Sequence, residues 1–363
     1  MAKKSVFIFL FSVIIMLFAS APCFADEETN DARGDFFIKN IIINGEKIIN
    51  YNLQYAVLLY EDTMYIPLTP EMCEIYGMKP AMDWENNTLV LSKAGPTKKN
   101  ISSADLKNNV ESLHLNIIEG AKAIALSQSE PDCVYDRAEE ITEPFVIQEE
   151  IDLKGLPLLE TEGNIYIPLR AVADTGLFNW NIYFSNYYGV CISTDSSIPG
   201  KTYLDSREAL ENKGLVNYIM RYNSTIVPSY GQQLVFLFKR AGEVYGVDPK
   251  LLMAIAQRES KFNTGAVGRG GALGMMQVMP ATGARYELTP EELMDPKTAI
   301  DFTAMYMSER IAAYGGDLVL ALSAYNQGSV KVNRGKYSSV YANNVLSTYS
   351  GIESYLEVNG YII

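Results

Sequence analysis

The sequence predicts a multidomain α+β protein in which two small β-rich α/β modules precede an all-α domain. Three observations lead there. The chain has 363 residues, more than the roughly 100–200 of one ordinary domain. Its texture changes near residue 230: residues 26–234 carry 16 basic and 31 acidic groups, whereas residues 235–355 carry 12 and 11. The acidic part also repeats itself. One block runs Thr63-Met64-Tyr65-Ile66-Pro67-Leu68, Tyr76-Gly77, Trp84, Thr88-Leu89-Val90-Leu91. A second runs Asn164-Ile165-Tyr166-Ile167-Pro168-Leu169, Thr175-Gly176, Trp180, Gly189-Val190-Cys191-Ile192. Such self-similarity marks duplicated supersecondary units.

Composition narrows the function. With 48% hydrophobic and 20% charged residues the chain is globular rather than disordered. A net charge of −13 gives phosphate-backbone binding no support, so nucleic acid is not an expected partner. His114 is the single histidine, so a Ser-His-Asp triad or multi-histidine metal site would need an unusual variant. No cofactor or metal is expected.

Residues 1–25 read as an export leader. Lys3 and Lys4 precede an apolar run from Val6 to Ala21, and Pro22-Cys23-Phe24-Ala25 ends on a small residue before acidic Asp26-Glu27-Glu28. That three-part order is a secretory signal, and it places the protein outside the membrane or in the cell wall. If the leader is retained, it anchors the chain in the membrane. The remaining cysteines, Cys73, Cys133 and Cys191, are odd in number and widely spaced. They read as buried thiols, with a Cys133–Cys191 bridge as the other possibility.

Both repeats follow β-rich segments. Phe37 to Ile43 leads into an Asn44-Gly45 turn, and Phe145 to Leu153 into a Gly155 turn. The succession of strand, Y-I-P-L, short helix, glycine, tryptophan and closing strand resembles the amino-terminal stalk domains of copper amine oxidases. The resemblance covers 37–93 and 145–195 and implies stalk or binding modules, able to meet other wall or envelope proteins. Trp84 and Trp180 are expected to fill the two small cores. Residues 94–144 are read as a connecting region, with mixed helix and loop over Ile101 to Ser127, and residues 196–230 as a linker.

From Gln232 the pattern is helical. Asp248-Pro249 is an N-cap followed by proline at the first helical position, and Leu251 to Ala256 is apolar nearly all round. At 3.6 residues per turn Leu252, Ile255, Ala256 and Glu259 share one face, which sets a carboxylate on a core-facing stripe. Burial there would hold it protonated, as a proton donor to a leaving oxygen must be. A structural glutamate paired with Arg258 or Arg269 is the alternative on this helix alone.

Three blocks in order favour the acid. They are Glu259-Ser260-Lys261-Phe262-Asn263, Gly271 through Gln277-Val278-Met279-Pro280-Ala281-Thr282, and Ala324-Tyr325-Asn326-Gln327-Gly328. They resemble the soluble, goose-lysozyme-like family of lytic transglycosylases over about 235–350. The resemblance implies a helical lysozyme-like domain spanning 231–355 that cleaves the MurNAc-β-1,4-GlcNAc bond of peptidoglycan glycan strands. It makes Glu259 the catalytic acid and base, and gives cleft positions to Met276, Gln277, Met279, Tyr306, Tyr325, Asn326 and Tyr341. The residue types suit that chemistry, since neutral amides hold hydroxyl and N-acetyl groups without neutralising the acid. Methionines and tyrosines offer apolar walls to sugar rings.

Other acids have plainer roles. Asp248 and Asp295 precede prolines as caps, Glu291 and Glu292 sit in a first turn, and Asp301 and Glu309 lie off the Ile300, Ala304, Met307, Ile311 stripe. One glutamate is therefore expected to work alone, with the sugar's 6-hydroxyl replacing water and a 1,6-anhydro product. A muramidase using water and a non-catalytic wall-binding scaffold are the competing readings. Gly268 stands where the family carries a serine, nine residues after the glutamate. Restoring that serine is expected to raise activity.

Overall fold

A computed structural model describes residues 31–95, 112–128 and 146–362. The predicted leader and Cys133 lie outside these residues. The chain divides into a β-rich amino-terminal part and a helical carboxy-terminal part.

The β-rich part comprises β1 (Asp31–Phe36), β2 (Asn40–Ile43), β3 (Glu46–Ile48), β4 (Leu58–Tyr60), β5 (Thr63–Pro67), helix α1 (Pro70–Tyr76), β6 (Met78–Asp83) and β7 (Thr88–Lys93). Then come β8 (Ser112–Ile118), β9 (Lys122–Gln128), β10 (Val146–Glu150), β11 (Leu158–Thr161), β12 (Asn164–Pro168), α2 (Leu169–Ala173), β13 (Asn181–Ser185) and β14 (Gly189–Ser193). Strands β1-β4-β5-β12-β11-β8 close a barrel, and two four-stranded sheets, β10-β9-β7-β6 and β13-β14-β2-β3, complete the fold.

The repeats interleave instead of standing apart as two modules. The two Y-I-P strands pair antiparallel at the middle of the barrel, Ile66 opposite Ile167. The closing strand of the first repeat, β7, runs parallel to β9, while β14 of the second runs parallel to β2. Each closing hairpin thus pairs with the opening hairpin of the other copy. One cluster holds buried residues of both, including Ile41, Leu89, Ile167 and Val190. The expected connecting region 94–144 contributes β8, which closes the barrel, and β9; the alternation of Leu113, Leu115 and Ile117 with His114 and Asn116 is a strand pattern, not helix and loop. Trp180 is buried against Tyr76 and Phe178, as expected. Trp84 is not core: it lies 54% exposed in the turn joining β6 to β7. Cys73 and Cys191 are buried free thiols, and burial pushes Cys191 up to about 11 and Cys73 to about 12.

The helical part contains α3 (Ser206–Tyr222), α4 (Pro228–Tyr245), α5 (Pro249–Ser260), α6 (Pro280–Gly283), α7 (Pro290–Met294), α8 (Pro296–Ala313), α9 (Leu318–Gln327), α10 (Ser329–Asn333) and α11 (Val340–Val358). Residues 196–230 are not a linker. Asp205 caps α3 by accepting from the Arg207 and Glu208 amides, and Leu215, Val216, Tyr218 and Ile219 join the helical core. Its polar residues hide the apolar face from a composition count. Pro228 begins α4 rather than a connection, in the first helical position that proline favours.

The two parts meet along α4. Lys47 of β3 bonds Glu243 at 2.7 Å, and the Tyr51 hydroxyl donates to the same carboxylate at 3.1 Å. Asn40 donates to Glu208 at 3.1 Å, and Lys239 reaches the same oxygen at 2.5 Å.

Candidate active site

The site grows from the end of α5. Asp248 accepts from the Lys250 amide at 2.8 Å, Pro249 opens the helix, and Leu251 to Ala256 are buried. Glu259 follows one turn after Ile255, half-buried in the last turn. The chain then leaves through two consecutive left-handed residues, Lys261 (φ 55°) and Phe262 (φ 61°). Neither is glycine, so this turn is strained. Burial of the Phe262 ring, edge-on to Phe238, holds it. Ser260 adds a tether: its hydroxyl donates to the Met275 carbonyl at 2.7 Å and accepts from the Asn263 amide at 3.1 Å.

Tyr341, at the start of α11, donates its hydroxyl to Glu259 Oε1 at 2.5 Å. Burial pushes the Glu259 carboxyl above its ordinary range, against the opposing pull of the Tyr341 hydrogen bond and Arg258. The partial negative charge of the helix end acts in the same direction as burial. The Tyr341 hydroxyl is itself held well above its usual value by burial, then by Tyr325 and Glu259. It remains a donor.

An aromatic row leads away from the acid. Tyr341 stacks on Tyr325 with centroids 6.4 Å apart, and Tyr306 meets Tyr325 edge-on at 6.0 Å. The Arg310 guanidinium lies 3.6 Å over the Tyr306 ring. The Tyr325 hydroxyl donates to the Met276 carbonyl at 3.1 Å, tying α9 to the loop after α5.

That loop is a compact hairpin. Leu273 bridges to Val267 and to Val278, and Gly274 (φ 70°) passes so close to Leu293 that a Cβ would sit 2.1 Å from its carbonyl oxygen. Only glycine fits. Gln277 is left-handed (φ 50°), and its Nε2 donates to the Ala266 and Gly274 carbonyls at 3.1 and 2.9 Å. Its amide hydrogens therefore brace the loop instead of projecting toward a ligand. Its Oε1 lies 2.4 Å from where a Cβ at Gly268 would be. A serine at this position would therefore require the Gln277 amide to shift.

The remaining expected cleft residues divide. Met279 is 43% exposed and Asn326 is exposed beside Tyr325. Met276 is fully buried, so it offers its carbonyl and not an apolar wall. Asp301 accepts two bonds from Arg240, and Glu309 pairs with Arg310, as structural acids do. Gln327 was missed: its amide clasps Ser338 in both directions, at 2.7 and 3.0 Å, and so holds the loop that delivers Tyr341. Its adjacency to Tyr325-Asn326 was the available signal.

The helical part is similar to transglycosylases in sequence. Residues 236–344 match the family described as "Transglycosylase SLT domain". Among curated relatives, the chain is 31% identical over 152 residues to the membrane-bound lytic murein transglycosylase C of Edwardsiella ictaluri, covering 36% of this chain and 42% of that one. It is 34% identical over 106 residues to the transglycosylase of Enterobacteria phage PRD1, covering 29% and 39%. The chain spans less than half the length of either relative. Among solved structures, the lytic transglycosylase Slt of Pseudomonas aeruginosa aligns at 22% identity over 45% of this chain and 32% of that chain. Its TM-score is 0.31. No described helix is long and apolar enough to cross a membrane.

Proposed function

We propose that this protein is an exported lytic transglycosylase that cleaves the MurNAc-β-1,4-GlcNAc bond of peptidoglycan glycan strands. The observation that carries this reading is Glu259. It is a half-buried carboxyl raised above its usual range, bonded to Tyr341, in a domain matching a transglycosylase family. Protonated Glu259 donates to the glycosidic oxygen as the bond breaks. The carboxylate so formed then takes the proton of the sugar's own 6-hydroxyl as that oxygen closes on the anomeric carbon, giving a 1,6-anhydro end and restoring the acid. Among the described residues the charged group acting on Glu259 is Arg258, and the acids nearest in sequence to the aromatic row are paired elsewhere. This supports a step that uses one carboxyl in place of the conventional pair.

In this reading Tyr306, Tyr325 and Tyr341 line the path of the glycan, with Met279 and Asn326 at its rim and Gln277 shaping the loop beside it. The leader exports the chain, and the amino-terminal repeats serve as a stalk or a contact to other envelope proteins. Clearing of purified cell walls by wild type, with none by an equally folded Glu259→Gln, is the expected result. Clearing by the glutamine variant would exclude Glu259 as the acid.

A further inference from the structure

A well-formed cleft lies away from Glu259. It lies between the β-rich part and α4, with a volume near 490 Å3, within the roughly 300–1,000 Å3 of small-molecule sites. Six basic and three acidic side chains line it, in a chain whose net charge is −13. Most of that positive charge is already answered. Lys47 pairs with Glu243, Lys239 with Glu208, and Arg240 and Lys297 with Asp301. Lys39 and Arg33 are different, for neither meets a carboxylate among the described residues. The Lys39 ammonium lies over two rings instead, 5.0 Å from Phe184 and 5.8 Å from Phe236.

The ring faces attract the ammonium without neutralising it, and burial lowers the Lys39 pKa below the usual lysine value. An incoming anion would restore what burial removes. The six cations face five acids, Asp35, Glu243 and Asp295 of the lining with Glu208 and Asp301, so the net charge is small and suits a single carboxylate better than a phosphate. Beside it the wall is apolar, with Ile48, Phe236 and Leu237, while Gln233 offers an amide. That combination fits a carboxylate carried on a short, partly apolar backbone.

We infer that this cleft binds the free carboxylate end of a short peptide, with Lys39 and Arg33 as its counter-ions. The site is separate from the aromatic row and uses residues from both parts of the chain. Peptides linked to the wall and peptides in solution share this chemistry. The choice of a D-alanine-ended probe rests on the proposed lytic function, whereas the preference for acid over amide does not.

The test is titration calorimetry of the full chain with diacetyl-Lys-D-Ala-D-Ala and with its C-terminal amide. The acid should bind at least tenfold more tightly than the amide, and Lys39→Met should weaken the acid at least tenfold while leaving the amide unchanged. Glu259→Gln should bind like wild type. A muramyl-linked peptide competing more strongly than the free one would identify the wall as the source, and equal competition a soluble peptide. Equal affinity for acid and amide, or no binding of the acid, would overturn the inference whatever Lys39→Met does to folding. Acid-selective binding by a chain that clears no cell walls would leave this site standing and remove the lytic reading alone.

Discussion

Tyr341 reaches Glu259 across 82 residues of sequence and holds its carboxyl by a 2.5 Å hydrogen bond. The contact joins the end of α5 to the start of α11, two helices that pack directly together. It gives a half-buried acid one polar partner while leaving it raised above its usual range. A donor of this kind stabilises the carboxylate as it forms, yet carries no charge that would strip the proton from the resting acid.

Tyr341→Phe separates these effects. Removing the hydroxyl removes an interaction that lowers the Glu259 pKa, so that pKa rises further. The acid must be protonated to donate, so activity falls as pH climbs through its pKa. The falling limb of the pH profile should therefore move to higher pH in the variant. The maximal rate should drop about tenfold, the cost of roughly one hydrogen bond to a developing charge. A pH–rate profile on solubilised glycan checks both, and a limb moving to lower pH would contradict the assignment.

The position of α3 changes where the helical part can be cut. Leu215, Val216 and Ile219 are buried in its core, and each buried aliphatic side chain stabilises by about 1.5–3 kcal/mol. Their loss approaches the roughly 5–15 kcal/mol that holds an ordinary domain together. A fragment from Asp205 to the end should melt cooperatively, whereas one from Ser229 should be unfolded or aggregate. Circular dichroism melts of the two fragments decide it.

Gly268→Ser should not improve the enzyme. Its Cβ would fall 2.4 Å from Gln277 Oε1, and the Gln277 amide is fixed by two carbonyls. Overpacking of this sort costs about 1–3 kcal/mol. The melting temperature should fall with no gain in rate. Adding Gln277→Ala should cost less in the serine background than in wild type, since the two residues compete for one space. Additive losses in a double-mutant cycle would show that they do not meet.

Much of this was legible in the sequence. The Asp248-Pro249 start, the apolar run and the placement of Glu259 on a core-facing stripe follow from helical periodicity, which is a local property. The Y-I-P-L duplication was equally plain. What it could not show was that Ile66 pairs with Ile167, because exchange of strands between repeats leaves each repeat's own pattern unchanged. The role of α3 was hidden for a related reason: an amphipathic helix with a polar outer face has the composition of a linker. In the site, the family resemblance gives Gln277 a cleft position, and its amide suits a ligand. Its left-handed backbone, which turns the amide into the loop, is set by the tight hairpin around Gly274 and leaves no mark in spacing.

The role proposed for Glu259 is decided by the chemistry at the cleaved bond. Mass spectrometry of the fragments released from purified sacculi by the wild-type protein measures it directly. A lone Glu259 passing the proton from the 6-hydroxyl predicts fragments ending in 1,6-anhydro sugars, each lighter by one water than a hydrolysed end. Fragments with free reducing ends, carrying the added water, would contradict it.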